Sequence, residues 1–140
     1  MTRYVVDASV VVKWFVPEIH SEAALQFTVS ECELLAPDFL LTEVGNILWK
    51  KIRRAELTRN EGREVLRVLR RAPLQIHPSE LLLQPAFEIA CSTGRSVYDS
   101  LYLGLAVLRR CRAVTADRRL YNALQGSPFT ANVHWIQEGP

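Results

Sequence analysis

The chain has 140 residues, of which 49% are hydrophobic and 23% are charged, a composition typical of a globular protein with an apolar core. The net charge is only +2, which by itself points to no class of partner. No apolar segment approaches the roughly 20 residues of a membrane-spanning helix, so we expect no membrane association and a single domain over residues 1–140.

The predicted elements alternate between strand and helix along the whole chain. Short apolar runs predict strands, in chain order, at residues 3–6, 34–36, 74–76, 112–115 and 133–136. Helical periodicity predicts helices between them at residues 10–16, 20–29, 37–51, 58–72, 79–93, 97–110 and 117–124. This alternation indicates an α/β fold, a three-layer α/β/α sandwich around a mainly parallel sheet, with the last strand at an edge.

Individual residues predict where several helices begin. Ser21 is predicted to cap the second helix, and Pro37 to lie in the first turn of the third. Thr58 and Glu61 have the spacing of a capping box at the start of the fourth helix. Pro85 is expected to kink its helix or to begin the main segment.

Four acidic residues are placed by these elements at one edge of the sheet. Asp7 follows the first strand and Asp117 follows the fourth, and sites in such folds lie at the carboxyl ends of the strands. Asp99 begins a helix that runs one way while the strand at 112–115 runs back, so Asp99 and Asp117 become neighbours. Glu43 leans toward the same edge because side chains on a helix point toward its N-terminus.

Each acid taken alone has a plainer interpretation. Asp7, Asp99 and Asp117 suit turns or helix starts, and Glu43 suits a solvated helix face. Taken together, clustered carboxylates repel one another and require a counter-charge, which a hard divalent cation held by oxygen ligands supplies. Such an ion activates water and neutralises charge on a phosphodiester. The cluster therefore predicts a Mg²⁺ or Mn²⁺ site for phosphodiester hydrolysis.

Four motifs carry a resemblance to a known family. They are VVDASVVVKWF around Asp7, LLTEVGNILWK around Glu43, SVYDSLYLGLA around Asp99 and VTADRRL around Asp117. In this order they closely resemble the PIN-domain ribonucleases, and most closely the VapC toxins of toxin–antitoxin pairs. The resemblance implies a metal-dependent endoribonuclease in which these four acids surround one or two Mg²⁺ or Mn²⁺ ions.

The same resemblance implies supporting residues and partners. Ser9 and Thr115 match hydroxyl positions in the family's first and last motifs, and Asn46 also fits the pattern. An RNA substrate, a VapB-like antitoxin that neutralises the toxin, and a homodimer are implied in the same way.

The cysteines bear on the cellular compartment. The chain has three of them, an odd number without metal-binding spacing, at Cys32, Cys91 and Cys111. Free thiols of this kind indicate a reducing compartment. No signal peptide precedes the first predicted strand, so we expect a cytoplasmic protein.

The basic residues are unevenly distributed. Residues 1–49 carry a net charge of −5, whereas residues 50–71 carry +6 and residues 95–119 carry +4. The basic residues of 50–71 form either a solvated helix face or a surface that binds a nucleic-acid backbone. Three arginines nearest the acidic edge are predicted to contact RNA: Arg95, Arg118 and Arg119.

The residues alone are also compatible with two alternative functions. One is a catalytically inactive nucleic-acid-binding or regulatory module whose acids are structural, and the other is a metal-dependent DNA nuclease on the same site. The complete set of four acids favours an enzyme. Because phosphate contacts carry no sequence information, the preference for RNA rests on the family resemblance alone.

Overall fold

A computed structural model describes all 140 residues and contains a five-stranded sheet in which every neighbouring pair is parallel. The strands are β1 (Thr2–Val6), β2 (Cys32–Pro37), β3 (Gln75–His77), β4 (Arg112–Thr115) and β5 (Val133–Trp135). Their order across the sheet is β3-β2-β1-β4-β5, which places β1 at the centre. The predicted edge position of the last strand is confirmed.

Seven α-helices connect and cover the strands. They are α1 (Ala8–Val11), α2 (Ser21–Val29), α3 (Phe39–Arg53), α4 (Arg59–Leu69), α5 (Leu83–Thr93), α6 (Val97–Leu108) and α7 (Arg118–Leu124). Helix α6 packs against β1, β2 and β4, whereas α2 and α3 pack against β2. Helices thus flank the parallel sheet, as predicted for a three-layer α/β/α sandwich. None of the helices has the length and apolarity required to cross a membrane.

The buried centre of the sheet fixes the positions where β1 and β4 end. Val5, Val6 and Val114 are completely buried, because parallel strands covered by helices expose neither face. In α6, every residue from 100 to 106 is buried, since this helix lies between the sheet and α5. The residues that directly follow β1 and β4 are therefore attached to well-packed, buried strands.

Two predicted helix starts are wrong. Ser21 is not the cap of α2, because His20 occupies that position with a left-handed backbone (φ 66°). The Ser21 hydroxyl instead accepts a hydrogen bond from Glu18 N at 2.9 Å. Pro37 is the last residue of β2, and α3 begins only at Phe39. A proline, which has no N–H to donate to a sheet, is tolerated where a strand ends.

The predicted capping box is present at the start of α4. Thr58 Oγ1 accepts a hydrogen bond from Glu61 N at 3.1 Å, and Glu61 Oε1 accepts one from Thr58 N at 2.9 Å. We expect Thr58→Ala to lower the free energy of unfolding by about 1 kcal/mol in urea denaturation, because an N–H of the first turn loses its acceptor. The control is Thr42→Ala at an exposed site in α3. Equal stability of Thr58→Ala and wild type would contradict the role of the cap.

Candidate active site

The carboxyl ends of β1 and β4 bring two of the predicted acids to one edge. Asp7 directly follows β1, and Asp117 lies two residues after β4. Val6 and Val114 are in register in the two parallel strands, and Asp7 N donates a hydrogen bond to Val114 O at 3.3 Å. The strand ends are therefore locked together at the point where the two acids begin.

Asp7 is almost completely buried, with 7% of its surface exposed. Its Oδ1 accepts hydrogen bonds from Val10 N at 3.2 Å and from the Ser9 hydroxyl. These bonds cap α1, which explains why the helix begins at Ala8, earlier than the predicted residue 10. The same residue is thus both a cap and a carboxylate at the edge of the sheet.

The surroundings of Asp7 strongly raise the pKa of its side chain. Burial raises the pKa of Asp7 to about 7, because an ionised carboxylate is poorly solvated there. Hydrogen bonds from the hydroxyls of Ser9 and Thr115 act in the opposite direction, and the charge of Glu43 adds to the rise. Asp7 therefore exchanges its proton near neutral pH.

Ser9 and Thr115 join the turn after β1 to the loop after β4. Ser9 Oγ donates to Asp7 and accepts a hydrogen bond from Ala116 N at 3.0 Å. Thr115 is buried, and its Oγ1 accepts a hydrogen bond from Asp117 N at 3.0 Å. Both hydroxyls thus lie where they hold the two acid-bearing segments in place.

Glu43 reaches the same edge from α3. Its Oε1 accepts a hydrogen bond from the hydroxyl of Tyr102 on α6. Burial raises the pKa of Glu43, the bond from Tyr102 lowers it, and the charges of Asp99 and Asp117 raise it further. The net direction is upward. Glu43 therefore lies within electrostatic range of both Asp99 and Asp117.

Tyr102 is a site residue that the sequence patterns do not single out. It is almost fully buried, and burial together with the charge of Glu43 raises the pKa of its hydroxyl, which remains a donor. Tyr102 lies three residues after Asp99, so the two side chains share one face of α6. This spacing is the only feature of the sequence that could have identified Tyr102 as a site residue. A tyrosine within an apolar helix is usually a core residue, so this signal is weak.

Asp99 and Asp117 each lie at the start of a helix. Asp99 N donates to Ser96 Oγ at 3.1 Å, and Asp99 Oδ2 accepts a hydrogen bond from Arg95 Nη2 at 3.1 Å. Asp117 caps α7, and its Oδ1 accepts hydrogen bonds from the first turn, including Arg119 N at 3.0 Å. Both residues therefore have local structural roles in addition to their place at the edge.

The three arginines predicted to contact RNA are placed differently. Arg95 is paired with Asp99, and its Nε is buried without an acceptor. The Arg118 guanidinium lies over the Trp135 ring, 3.7 Å from the ring centroid. Arg119 is exposed on the first turn of α7. Two of the three guanidinium groups thus already have partners within the protein.

A cavity of about 430 Å³ opens beside Glu43 and Asp99. Asn46, the third predicted supporting residue, lines it from α3. Two aromatic rings on its wall, those of Phe39 and Tyr98, stack with their centroids 5.0 Å apart. Asn46 therefore lines the same cavity as two of the acids, Glu43 and Asp99.

The family model of the PIN domain matches residues 4–124, a segment that contains all four acids. The chain belongs to the PIN-domain family. Ribonuclease VapC3 of Pyrobaculum aerophilum is 36% identical to it over 120 residues, which cover 84% of this chain and 92% of that protein. The predicted resemblance to the PIN-domain ribonucleases is confirmed.

Solved structures share the fold. The crystal structure of PAE2754 from Pyrobaculum aerophilum aligns with a TM-score of 0.68 at 22% identity, covering 98% of this chain and 85% of that one. VapBC2 from Rickettsia felis, solved with a DNA fragment from its promoter, aligns with a TM-score of 0.64 at 11% identity, covering 96% and 98%. At these identities the likeness concerns the fold, and the predicted PIN-like sandwich is confirmed.

The four acids of this PIN domain are not gathered around one point. No group of three or more His, Cys, Asp and Glu side chains is arranged to hold a metal ion. Each carboxylate is turned to a donor of the protein instead: the Ser9 hydroxyl, the Tyr102 hydroxyl, the Arg95 guanidinium and the Arg119 N–H. The donor set fits a hard divalent cation, because carboxylate oxygens are its preferred ligands. Each carboxylate keeps further lone pairs while it accepts these hydrogen bonds, so such an ion requires the acids to come closer together and not to release every donor.

We expect Tyr102→Phe to raise the pKa of Glu43, because the mutation removes a hydrogen bond that favours the ionised carboxylate. The measurement is an NMR titration of the Glu43 side-chain carboxyl carbon. The control is Tyr98→Phe, which alters an exposed hydroxyl four residues away on the same helix. An unchanged Glu43 titration in Tyr102→Phe would show that the hydroxyl does not tune this acid.

Proposed function

We propose that this protein is a metal-dependent endoribonuclease that hydrolyses RNA phosphodiesters and is neutralised by a VapB-like antitoxin. The observation that supports it most strongly is the placement of the acids: Asp7 and Asp117 follow the carboxyl ends of adjacent strands, and Glu43 and Asp99 line one cavity. Kinship with a 36% identical VapC ribonuclease supports the choice of RNA as substrate.

The four acids are the residues that would hold one or two Mg²⁺ or Mn²⁺ ions. A bound divalent cation lowers the pKa of a water molecule and neutralises charge on a phosphodiester. To serve as a ligand, Asp7 must give up the proton that it retains near neutral pH, whereas Asp99 has one oxygen, Oδ1, that is not bonded to Arg95. The deprotonation of Asp7 favours ion binding at neutral to alkaline pH.

Three further side chains position the acids in this proposal. Ser9 orients Asp7 and ties it to the loop after β4, and Tyr102 orients Glu43. The buried Thr115 hydroxyl holds the backbone at Asp117. These contacts keep the segments that carry the acids in fixed relative positions, which limits the motion required when an ion binds.

The choice between RNA and DNA is tested with matched substrates. Purified protein is incubated with RNA and DNA oligonucleotides of the same sequence in Mg²⁺ or Mn²⁺, and Asp99→Asn is the inactive control. We expect cleavage of RNA at defined positions, which sequencing of 5′ ends after brief induction in cells would locate. Equal cleavage of the DNA strand would favour the DNA nuclease alternative, and absence of any cleavage would favour a binding module.

The antitoxin is tested through the neighbouring reading frame. We expect a short neighbouring gene to encode a protein that co-purifies with this chain and suppresses its activity. Co-expression followed by size-exclusion chromatography measures the complex, and the same experiment on the chain alone shows whether it is a homodimer. A neighbour that neither binds nor inhibits would remove the antitoxin from the proposal.

A further inference from the structure

A second cavity, of about 300 Å³, lies between the segment after β1 and the C-terminal half of α3. Its charged lining is strongly basic, with four cationic side chains facing one carboxylate: Lys13, Lys50, Lys51, Arg54 and Glu18. A cavity that concentrates charge of one sign attracts ligands of the opposite sign. This basic cavity is therefore a candidate anion site.

Glu18 cannot neutralise the basic cavity. Its carboxylate is shared between Lys13 Nζ at 3.0 Å and Lys51 Nζ. Burial raises the pKa of Glu18, but hydrogen bonds from Lys51 and Lys13 lower it, and the net shift is downward. Neither Lys50 nor Arg54 forms an ion pair with any acid of the chain. Positive charge thus remains in excess.

Lys13 is a buried member of this cluster and is held by its pairing with Glu18. Its side chain is only 8% exposed, and lysine is rarely buried unless it is paired. It lies five residues before Glu18, whose carboxylate it shares with Lys51 from α3. Two ammonium groups are thereby held at fixed positions on the wall of the basic cavity, which preorganises the wall for an anion.

The basic cavity adjoins the acidic edge. Ser9 and Ala116 line it, and these are the residues whose hydrogen bond joins the turn after β1 to the loop after β4. Ser9 also donates to Asp7. A nucleic-acid strand at the acids would therefore pass next to Lys50 and Arg54, whereas Arg95 and Arg118 are engaged within the protein.

We infer that the basic cavity binds a backbone phosphate of RNA that flanks the phosphodiester at the acidic edge. The inference rests on the proposed function and adds a subsite to it. Trp49 supports a nucleic-acid ligand over an acidic peptide, because its ring is half exposed beside Lys50 and Arg54, with Arg53 Cζ 4.9 Å from its centroid. Basic side chains interleaved with an exposed aromatic ring are typical of surfaces that bind single strands.

The test measures RNA binding as a function of salt in the cleavage-deficient Asp99→Asn protein. Fluorescence anisotropy with a labelled RNA oligonucleotide gives the affinity from 50 to 200 mM salt. Removing two phosphate contacts by Lys50→Gln with Arg54→Gln should reduce the slope of log affinity against log salt by about 1.4. The parent should therefore lose about 7-fold more affinity over this range than the double variant.

A charge-matched control removes two arginines at the opposite end of the sheet. Arg109 and Arg110 precede β4 and line a different cavity, and both are exposed. Arg109→Gln with Arg110→Gln should leave the slope unchanged. Equal slope changes in the two double variants, or no change in Lys50→Gln with Arg54→Gln, would overturn the inference. The inference would also be overturned if Lys50→Gln with Arg54→Gln bound RNA normally but lost binding to polyglutamate. That result would assign the basic cavity to an acidic peptide.

Failure of this inference is distinguishable from failure of the proposed function. Cleavage of RNA by the wild-type protein in Mg²⁺, combined with an unchanged slope, would remove the phosphate subsite and leave the ribonuclease. A reduced slope without any cleavage by the wild-type protein would leave a nucleic-acid-binding cavity and remove the enzyme. Thermal melts of both double variants verify that each is folded before binding is compared.

Discussion

Asp7→Asn, Asp99→Asn and Asp117→Asn are each expected to lower the rate of RNA cleavage by on the order of 100-fold or more. An asparagine keeps the size of the side chain but removes the anionic charge that a hard cation requires. Single-turnover cleavage of a labelled RNA in Mg²⁺ measures the rate, and thermal melts verify folding. The three substitutions act on different elements, so a shared loss of activity would implicate the edge of the sheet and not one helix.

The matched control for these variants is Glu88→Gln, which makes the same charge change on the exposed face of α5. Its rate of cleavage should equal that of the wild type. A wild-type rate in Asp99→Asn would contradict the assignment of that residue and leave it as a partner of Arg95. Glu43→Gln extends the series, and we expect a loss there as well because Glu43 is coupled to the other acids.

Asp7→Asn is also expected to stabilise the protein at pH 8 when divalent ions are removed by EDTA. The pKa of Asp7 is raised from 3.8 to about 7 in the folded protein. Between pH 3.8 and about pH 7, Asp7 keeps its proton in the folded protein but is ionised in the unfolded chain. The stability linked to this proton is therefore fully present below about pH 4 and is lost as the pH rises to about 7. A shift of three units corresponds to about 4 kcal/mol at most.

Urea denaturation of the wild type and of Asp7→Asn in EDTA, from pH 4 to pH 8, measures this effect. The difference in free energy of unfolding between the two proteins should grow in favour of the variant as the pH rises. Asp38→Asn serves as a control without pH dependence over this range, because hydrogen bonds from Ser79 lower the pKa of Asp38 from 3.8 and its linked stability changes only at lower pH. A pH-independent difference between Asp7→Asn and wild type would show that Asp7 titrates normally.

The sequence predicts the parts of this molecule that depend on local patterns. Apolar runs locate β1 and β4 because strands buried on both faces tolerate few polar residues, and the positions of Asp7 and Asp117 follow from the strand ends. The capping box at Thr58 is equally local, since its two partners are three residues apart. The elements, the ends of these strands and the cap of α4 therefore follow from local sequence, whereas the starts of α2 and α3 do not.

The contacts that organise the site are not local, and the sequence does not predict them. Tyr102 and Glu43 are 59 positions apart, and their contact depends on how α3 and α6 meet above the sheet. The stacking of Arg118 on Trp135 likewise requires β5 to lie beside β4, and it gives an arginine that is predicted to contact RNA a partner within the protein. The Glu18 carboxylate shared by lysines from two segments has no sequence signature at all.

Cleavage of RNA by the purified wild-type protein with and without divalent ions tests the central claim most directly. In Mg²⁺ or Mn²⁺ we predict discrete RNA fragments, and in EDTA we predict none, with activity restored when excess Mg²⁺ is returned. A preparation of Asp99→Asn purified in the same way excludes a contaminating nuclease. Full cleavage of RNA in EDTA by the wild-type protein would contradict a metal-dependent site at Asp7, Glu43, Asp99 and Asp117.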